Sequence, residues 1–287
     1  MSSIANIAAL SSAEAPTTLP APSAQPLESH FTTGDGMRMA YRIDGSADLP
    51  VLLLSNSIGT SLHMWNGQVD ALAGKYRVVR YDTRGHGASG VPAGAYSLDR
   101  LGRDVIELMD ELRIDHAHFL GLSLGGFVGQ WLGIHSPERI DRLILANTAS
   151  YLGPAQTWDA AIRAVEQAPD MNDTAEMFLR NWFPAQWVQS DAPVVKQFRS
   201  MLLATDRHGL AGAWAVVRDA DLRRTAALID CPTLVIAGLH DTVTSAAHGQ
   251  AIAETIPGAR LVVLPVVHLS NVEQPEEFIR VVMDFLA

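Results

Sequence analysis

The strongest constraint in this sequence is a repeated alternation of short, continuous apolar runs with helix-patterned segments. Residues 51–55 (Val-Leu-Leu-Leu-Ser) form the first run, and similar ones follow at 76–81, 117–120, 142–146, 233–237 and 260–264. Runs of this length with no polar alternation suit strands covered on both faces. Between them lie helical patterns at 98–112, 124–135, 246–255 and 275–286. Strands alternating with helices predict an α/β fold: a mostly parallel central sheet with helices on both faces. Ahead of the first run, residues 30–33 and 38–43 flank Gly34-Asp35-Gly36 and read as a hairpin.

The alternation breaks between about residues 151 and 229. That stretch is helical in pattern, holds four of the six Trp residues (158, 182, 187, 214) and offers no convincing strand. It reads as a helical cap inserted over the sheet's active edge, with most of its Trp residues as its own core. The organisation expected is therefore a disordered N-terminal extension at 1–26, rich in Ala, Ser, Thr and Pro, the first part of the core at 27–150, the cap at 151–229 and the second part of the core at 230–287. Removing residues 1–25 is expected to leave rate and melting temperature nearly unchanged.

Composition narrows the function. The chain carries 21 Lys and Arg against 31 Asp and Glu, a net charge of −10, and has no basic run. That argues against nucleic acid as a partner, and it means that an anionic substrate would need a local positive site. No apolar stretch reaches membrane-spanning length. The first basic residue is Arg38, so a secretory n-region is absent and the cytoplasm is the expected compartment. The single cysteine, Cys231, reads as a buried structural thiol. No metal-ligand run is present, and neither metal nor cofactor is expected.

Gly121-Leu122-Ser123-Leu124-Gly125-Gly126 lies between the run ending at Leu120 and the helix pattern starting at Leu124. This is the G-x-S-x-G elbow in its strand–turn–helix setting. The turn is tight enough to strain Ser123, to exclude side chains at Gly121 and Gly125, and to lift the hydroxyl to the positive end of a helix. A serine needs a base. Asp241 follows the run 233–237, and His268 follows the run 260–264, so acid and imidazole fall past the ends of two further strands in the order Ser, Asp, His. His268 would act as general base and acid, while Asp241 would fix its tautomer. One oxyanion donor is expected to be the Leu124 N–H. The other is expected to be the Ile58 N–H in Asn56-Ser57-Ile58-Gly59, where many relatives carry His-Gly. His240 reads as a residue behind Asp241, and His86 in Asp82-Thr83-Arg84-Gly85-His86-Gly87 as structural.

Ser55-Asn56-Ser57-Ile58-Gly59-Thr60 with Met64-Trp65 resembles the 3-oxoadipate enol-lactonases, α/β-hydrolases of the β-ketoadipate pathway of aromatic catabolism. So do Tyr81 to Gly87, the serine elbow, Gly129-Gln130-Trp131-Leu132-Gly133 and Leu145 to Ala149. In the cap, Met201 to Asp206 and Arg218 to Arg223 resemble the same family, as does His268 to Pro275. The resemblance implies that water opens a small enol-lactone to 3-oxoadipate through an acyl-enzyme on Ser123. It further implies a cation for the substrate's free carboxylate, with Arg180, Arg199 and Arg218 as candidates. Asn56, Ser57 and Trp131 are candidates for the pocket wall. A general carboxylesterase or cofactor-free perhydrolase on the same triad remains open, as does a slow-turnover ligand receptor. An Asp-nucleophile dehalogenase or epoxide hydrolase is disfavoured by Ser at 123.

Overall fold

The computed structural model describes residues 15, 18, 19 and 28–287. One eight-stranded sheet organises them, in the order β1-β2-β4-β3-β5-β6-β7-β8. The strands are β1 (Ser29–Thr32), β2 (Arg38–Asp44), β3 (Val51–Ser55), β4 (Arg77–Tyr81), β5 (Ala117–Leu122), β6 (Ile140–Ala146), β7 (Thr233–Gly238) and β8 (Arg260–Leu264). The β1–β2 hairpin pairs antiparallel and adds antiparallel to β4; every other pairing is parallel. The expected α/β architecture is the one observed. Strands β3, β5 and β7 are buried almost throughout. β8 is not, because it closes the sheet with no strand beyond it: Arg260 and Val263 are exposed.

Helices α1 (Asn66–Ala73), α2 (Leu98–Glu111), α3 (Leu124–His135), α9 (Ala246–Thr255) and α11 (Pro275–Leu286) pack around this sheet, with the short α10 (Ser270–Glu273) preceding the last. α1 was not legible in the sequence. Its eight residues, Asn-Gly-Gln-Val-Asp-Ala-Leu-Ala, give only two turns and bury Gln68, Val69 and Leu72 alone. α2 begins at an N-cap, where the Ser97 hydroxyl accepts the Arg100 N–H. Five helices intervene between β6 and β7: α4 (Ala155–Gln167), α5 (Asn172–Trp182), α6 (Ala185–Gln189), α7 (Pro193–Ala204) and α8 (Arg207–Asp219). They are joined by aromatic packing, with Trp182 against Phe178 and Phe198, and Trp214 against Phe178 and Trp158.

Two parts of the N-terminal extension are placed. Ala15 and Leu19 pack against the hydrophobic core, and the Leu19 N–H donates to Gln197 Oε1 on α7 at 2.7 Å. Residues 1–14, 16, 17 and 20–26 of the segment expected to be disordered lie outside the described residues. Among the described residues no helix is long and apolar enough to cross a membrane.

The nucleophile-bearing helix is held against α2 by close approach. A Cβ at Gly102 would fall inside the Trp131 ring, which itself stacks on His135 at a centroid distance of 4.7 Å. Gly102→Ala is expected to cost about 1–3 kcal/mol of stability through overpacking. Urea unfolding monitored by Trp fluorescence measures this, and an unchanged midpoint would show that the α2–α3 contact yields freely.

Candidate active site

Ser123 stands at the end of β5 as the residue before α3, with φ 56° and ψ −112°. A left-handed φ is uncommon for a residue with a side chain and is held here by its surroundings. The Ser123 N–H donates to Ala146 O at 3.0 Å, and Ser123 O accepts from Thr148 Oγ1 at 2.7 Å and Gly126 N–H at 2.9 Å. A Cβ on Gly121 would strike the Gly125 carbonyl, and one on Gly125 would strike the Ser55 carbonyl. The glycines of the motif are therefore where the helix must press against two strands. The hydroxyl takes no part in capping α3.

Asp241 and His268 sit on the loops after β7 and β8. His268 Nδ1 lies 2.8 Å from Asp241 Oδ2, and both side chains are essentially removed from solvent. Asp241 is saturated with donors. Its Oδ1 accepts the N–H groups of Val243 and Thr244, at 2.8 and 3.0 Å. Its Oδ2 also accepts Thr244 Oγ1 at 2.8 Å and Asn147 Nδ2 at 3.2 Å. Burial alone would raise the Asp241 pKa. The imidazolium charge, its hydrogen bond and the Thr244 donors outweigh that and hold the carboxyl well below the usual range. With Nδ1 committed to Asp241, Nε2 is the nitrogen left for Ser123, and Ser123 and His268 line the same cavity.

Ile58 and Leu124 line that cavity as well. Neither amide is engaged in the turn, loop or side-chain hydrogen bonds found among the described residues. The loop bearing Ile58 is fastened from behind. Asn56 Nδ2 donates to Tyr81 O, Asn56 Oδ1 accepts from Trp65 Nε1, and Asn56 O accepts the Gly125 N–H. The segment after β4 braces the same loop: the buried Asp82 accepts Leu62 N–H at 2.6 Å and Ala88 N–H at 2.8 Å. Burial pushes Asp82 up to about 6 against those two bonds. His86 is buried, with burial lowering its pKa to about 4, in keeping with a structural role.

Several expected pocket residues are elsewhere. Asn56 is a brace, not a wall. Ser57 is buried, with its N–H on Met64 Sδ at 3.2 Å, and does not line the cavity. Trp131 is packed between α2 and α3. Arg180, Arg199 and Arg218 are all outside the cavity lining. Arg199 pairs with Glu176 and Asp191, and Arg218 with Asp159 and Asp219, so local acids already occupy both. Arg180 is exposed on α5. His240, expected behind Asp241, is exposed too. Among the described residues no cluster of His, Cys, Asp and Glu could hold a metal ion.

Three residues that the motif reading did not assign complete the site. Asn147, at φ 42°, directly follows β6 and joins Asp241 to the Val267 carbonyl, at 3.2 Å each, while Ser270 Oγ donates to Asn147 Oδ1 at 2.6 Å. Thr244 follows Asp241 by three residues, a spacing typical of side-chain-to-backbone turns, and this was its one sequence signal. Glu273 Oε2 accepts the Val267 N–H at 2.7 Å, directly ahead of His268.

Burial pushes Glu273 up to about 7 from 4.5, against the lowering effect of that N–H. Between those values the folded chain keeps a proton that the unfolded chain has released, so stability falls as pH rises through the window. Glu273→Gln retains an acceptor for Val267 and removes the ionisation. The variant is expected to gain on the wild type by on the order of 1 kcal/mol between pH 5 and pH 8. Parallel pH-dependent slopes in urea unfolding would refute this.

Residues 50–275 match the family model described as the alpha/beta hydrolase fold. The chain is 42% identical to 3-oxoadipate enol-lactonase 2 of Acinetobacter baylyi over 246 residues, covering 86% of this chain and 92% of that one. Among solved structures, a hydrolase from Pseudomonas aeruginosa PA01 is 60% identical with a TM-score of 0.90, covering 91% of this chain and 98% of the other. The enol-lactonase from Burkholderia xenovorans LB400 is 39% identical with a TM-score of 0.87, covering 90% and 99%. The chain belongs to the α/β-hydrolase family, in the branch that holds the 3-oxoadipate enol-lactonases.

Proposed function

We propose that this protein is a serine hydrolase that opens 3-oxoadipate enol-lactone to 3-oxoadipate, with Ser123 as nucleophile, His268 as base and Asp241 as its partner. The observation that carries the reading is the buried 2.8 Å contact of His268 with Asp241, on the wall of a cavity that Ser123 shares. The cavity, of about 190 Å³, has room for a small molecule.

The chemistry follows from the residues. Ser123 Oγ attacks the lactone carbonyl as its proton passes to His268 Nε2. The imidazolium formed is stabilised by the Asp241 carboxylate, which the surrounding donors keep ionised. The tetrahedral oxyanion lies between the Ile58 and Leu124 N–H groups, each worth roughly 2.7–4 kcal/mol of barrier. Collapse breaks the ring C–O bond, and the enolate leaves with the proton from His268, becoming the ketone by tautomerisation. The ring opens without losing a fragment, so the acyl-enzyme carries the whole substrate skeleton. Water, deprotonated by His268, then attacks the Ser123 ester and releases 3-oxoadipate. An enolate is a far better leaving group than an alkoxide, so the first step needs only moderate help.

Ser123→Ala should lower kcat by about 10⁴-fold or more with the melting curve preserved. Substantial residual turnover would contradict the assignment. Turnover of freshly generated enol-lactone should exceed that of a simple aryl ester in kcat/KM. The reverse order would favour a general carboxylesterase on the same three residues.

A further inference from the structure

Among the described residues, no charged side chain lines the cavity. Its lining residues are apolar or aromatic apart from Ser123, His268, Thr157, Asn181 and the indoles of Trp158, Trp182 and Trp214. Burial grades along it. Ser123, Leu124, Phe127, Trp182 and His268 are buried, whereas Thr157 and Met177 are exposed and Asn181 is partly exposed. The reacting atoms therefore lie at the floor, and Thr157 and Asn181 stand towards the mouth.

At the mouth, hydrogen-bonding capacity is unspent. Among the described residues, Asn181 Nδ2 is engaged only with Met177 Sδ, at 3.5 Å, a long contact to a weak acceptor. Trp158 Nε1, by contrast, is committed to Leu152 O at 2.8 Å. The helices supply these groups in register: Thr157 and Ala161 of α4, and Met177 and Asn181 of α5, are i,i+4 pairs on the faces that line the cavity. The arginines of the insertion that could have served instead are turned to acids or to solvent.

We propose that Asn181, assisted by the Thr157 hydroxyl, forms a neutral subsite at the cavity mouth for a terminal carboxylate on the substrate, in place of a guanidinium. This rests on the enol-lactonase reading for the identity of the substrate. A carboxylate held at the mouth keeps much of its hydration, so it does not meet the full cost of an uncompensated buried charge. A neutral N–H donated to an anion is still a charge-assisted bond. The apolar middle of the cavity packs the carbon skeleton and leaves the carbonyl at Ser123.

The test uses the whole protein, with Asn181→Leu removing the donors at similar volume and Asn181→Asp replacing them with a like charge. Substrates are the enol-lactone and a matched pair of aryl esters, 4-nitrophenyl hemisuccinate and 4-nitrophenyl butyrate, which differ in a terminal carboxylate. Asn181→Leu should raise KM for the lactone and the hemisuccinate about tenfold and Asn181→Asp about a hundredfold, the tenfold step matching one lost charge-assisted bond. Values of kcat, and all constants for the butyrate, should stay within twofold. Equal losses on both esters would mean a structural role, and an unchanged KM for the hemisuccinate would place the carboxylate elsewhere; either overturns the proposal. If the wild type fails on the lactone while the ester pair still responds to position 181, the lactonase reading falls and the subsite stands.

Discussion

A carboxylate and an imidazole hydrogen-bonded to each other out of reach of water are costly to assemble, and the arrangement around them is organised to offset that cost. Asp241 accepts from two backbone N–H groups, one hydroxyl, one amide and His268. Losing either N–H donor to Oδ1 would leave a buried lone pair unmet, whereas Oδ2 carries three donors. Three strand ends must converge for this: β6 contributes Asn147, β7 leads to Asp241 and Thr244, and β8 leads to His268. The parallel sheet makes that convergence possible because it places the carboxyl ends of consecutive strands side by side.

The opposite wall of the cavity obeys a different rule. The five-helix insertion supplies aromatic surface and two uncharged polar side chains, while its Arg199 and Arg218 are spent on local acids. In a chain of net charge −10 a guanidinium aimed into the cavity is the simplest way to attract an anion, yet Arg199 and Arg218 each have two carboxylates nearer at hand. A charge-free wall trades attraction for shape. The apolar carbon skeleton determines the fit, and the polar groups at the mouth and floor determine the orientation.

Much of the fold was legible because its signals are local. β3, β7 and β8 are continuous apolar runs, α3 and α11 carry their periodic patterns, and the elbow glycines mark the places where helix and strand touch. α1 was missed because two turns give too few apolar positions to establish a period. The three triad candidates were legible because each falls just past a strand, which a one-dimensional reading can locate.

What the sequence determined by itself is a mostly parallel sheet, the succession of strands and helices along the chain, and the chemical types waiting at the strand ends. Only the tertiary structure decided which side chains face the cavity. Trp131, Arg199 and Arg218 have the right chemistry at plausible positions, yet Trp131 points between two helices and the arginines turn to acids up to 59 positions away in the chain. Asn147 and Glu273 lie in segments that carry the family resemblance, and Thr244 just past Asp241, but nothing local assigns them a role; in the fold they hold the loops of Asp241 and His268. Periodicity fixes the face of a helix relative to its own axis. The rotation and partners of that helix depend on contacts between segments remote in the chain, and no local pattern encodes those.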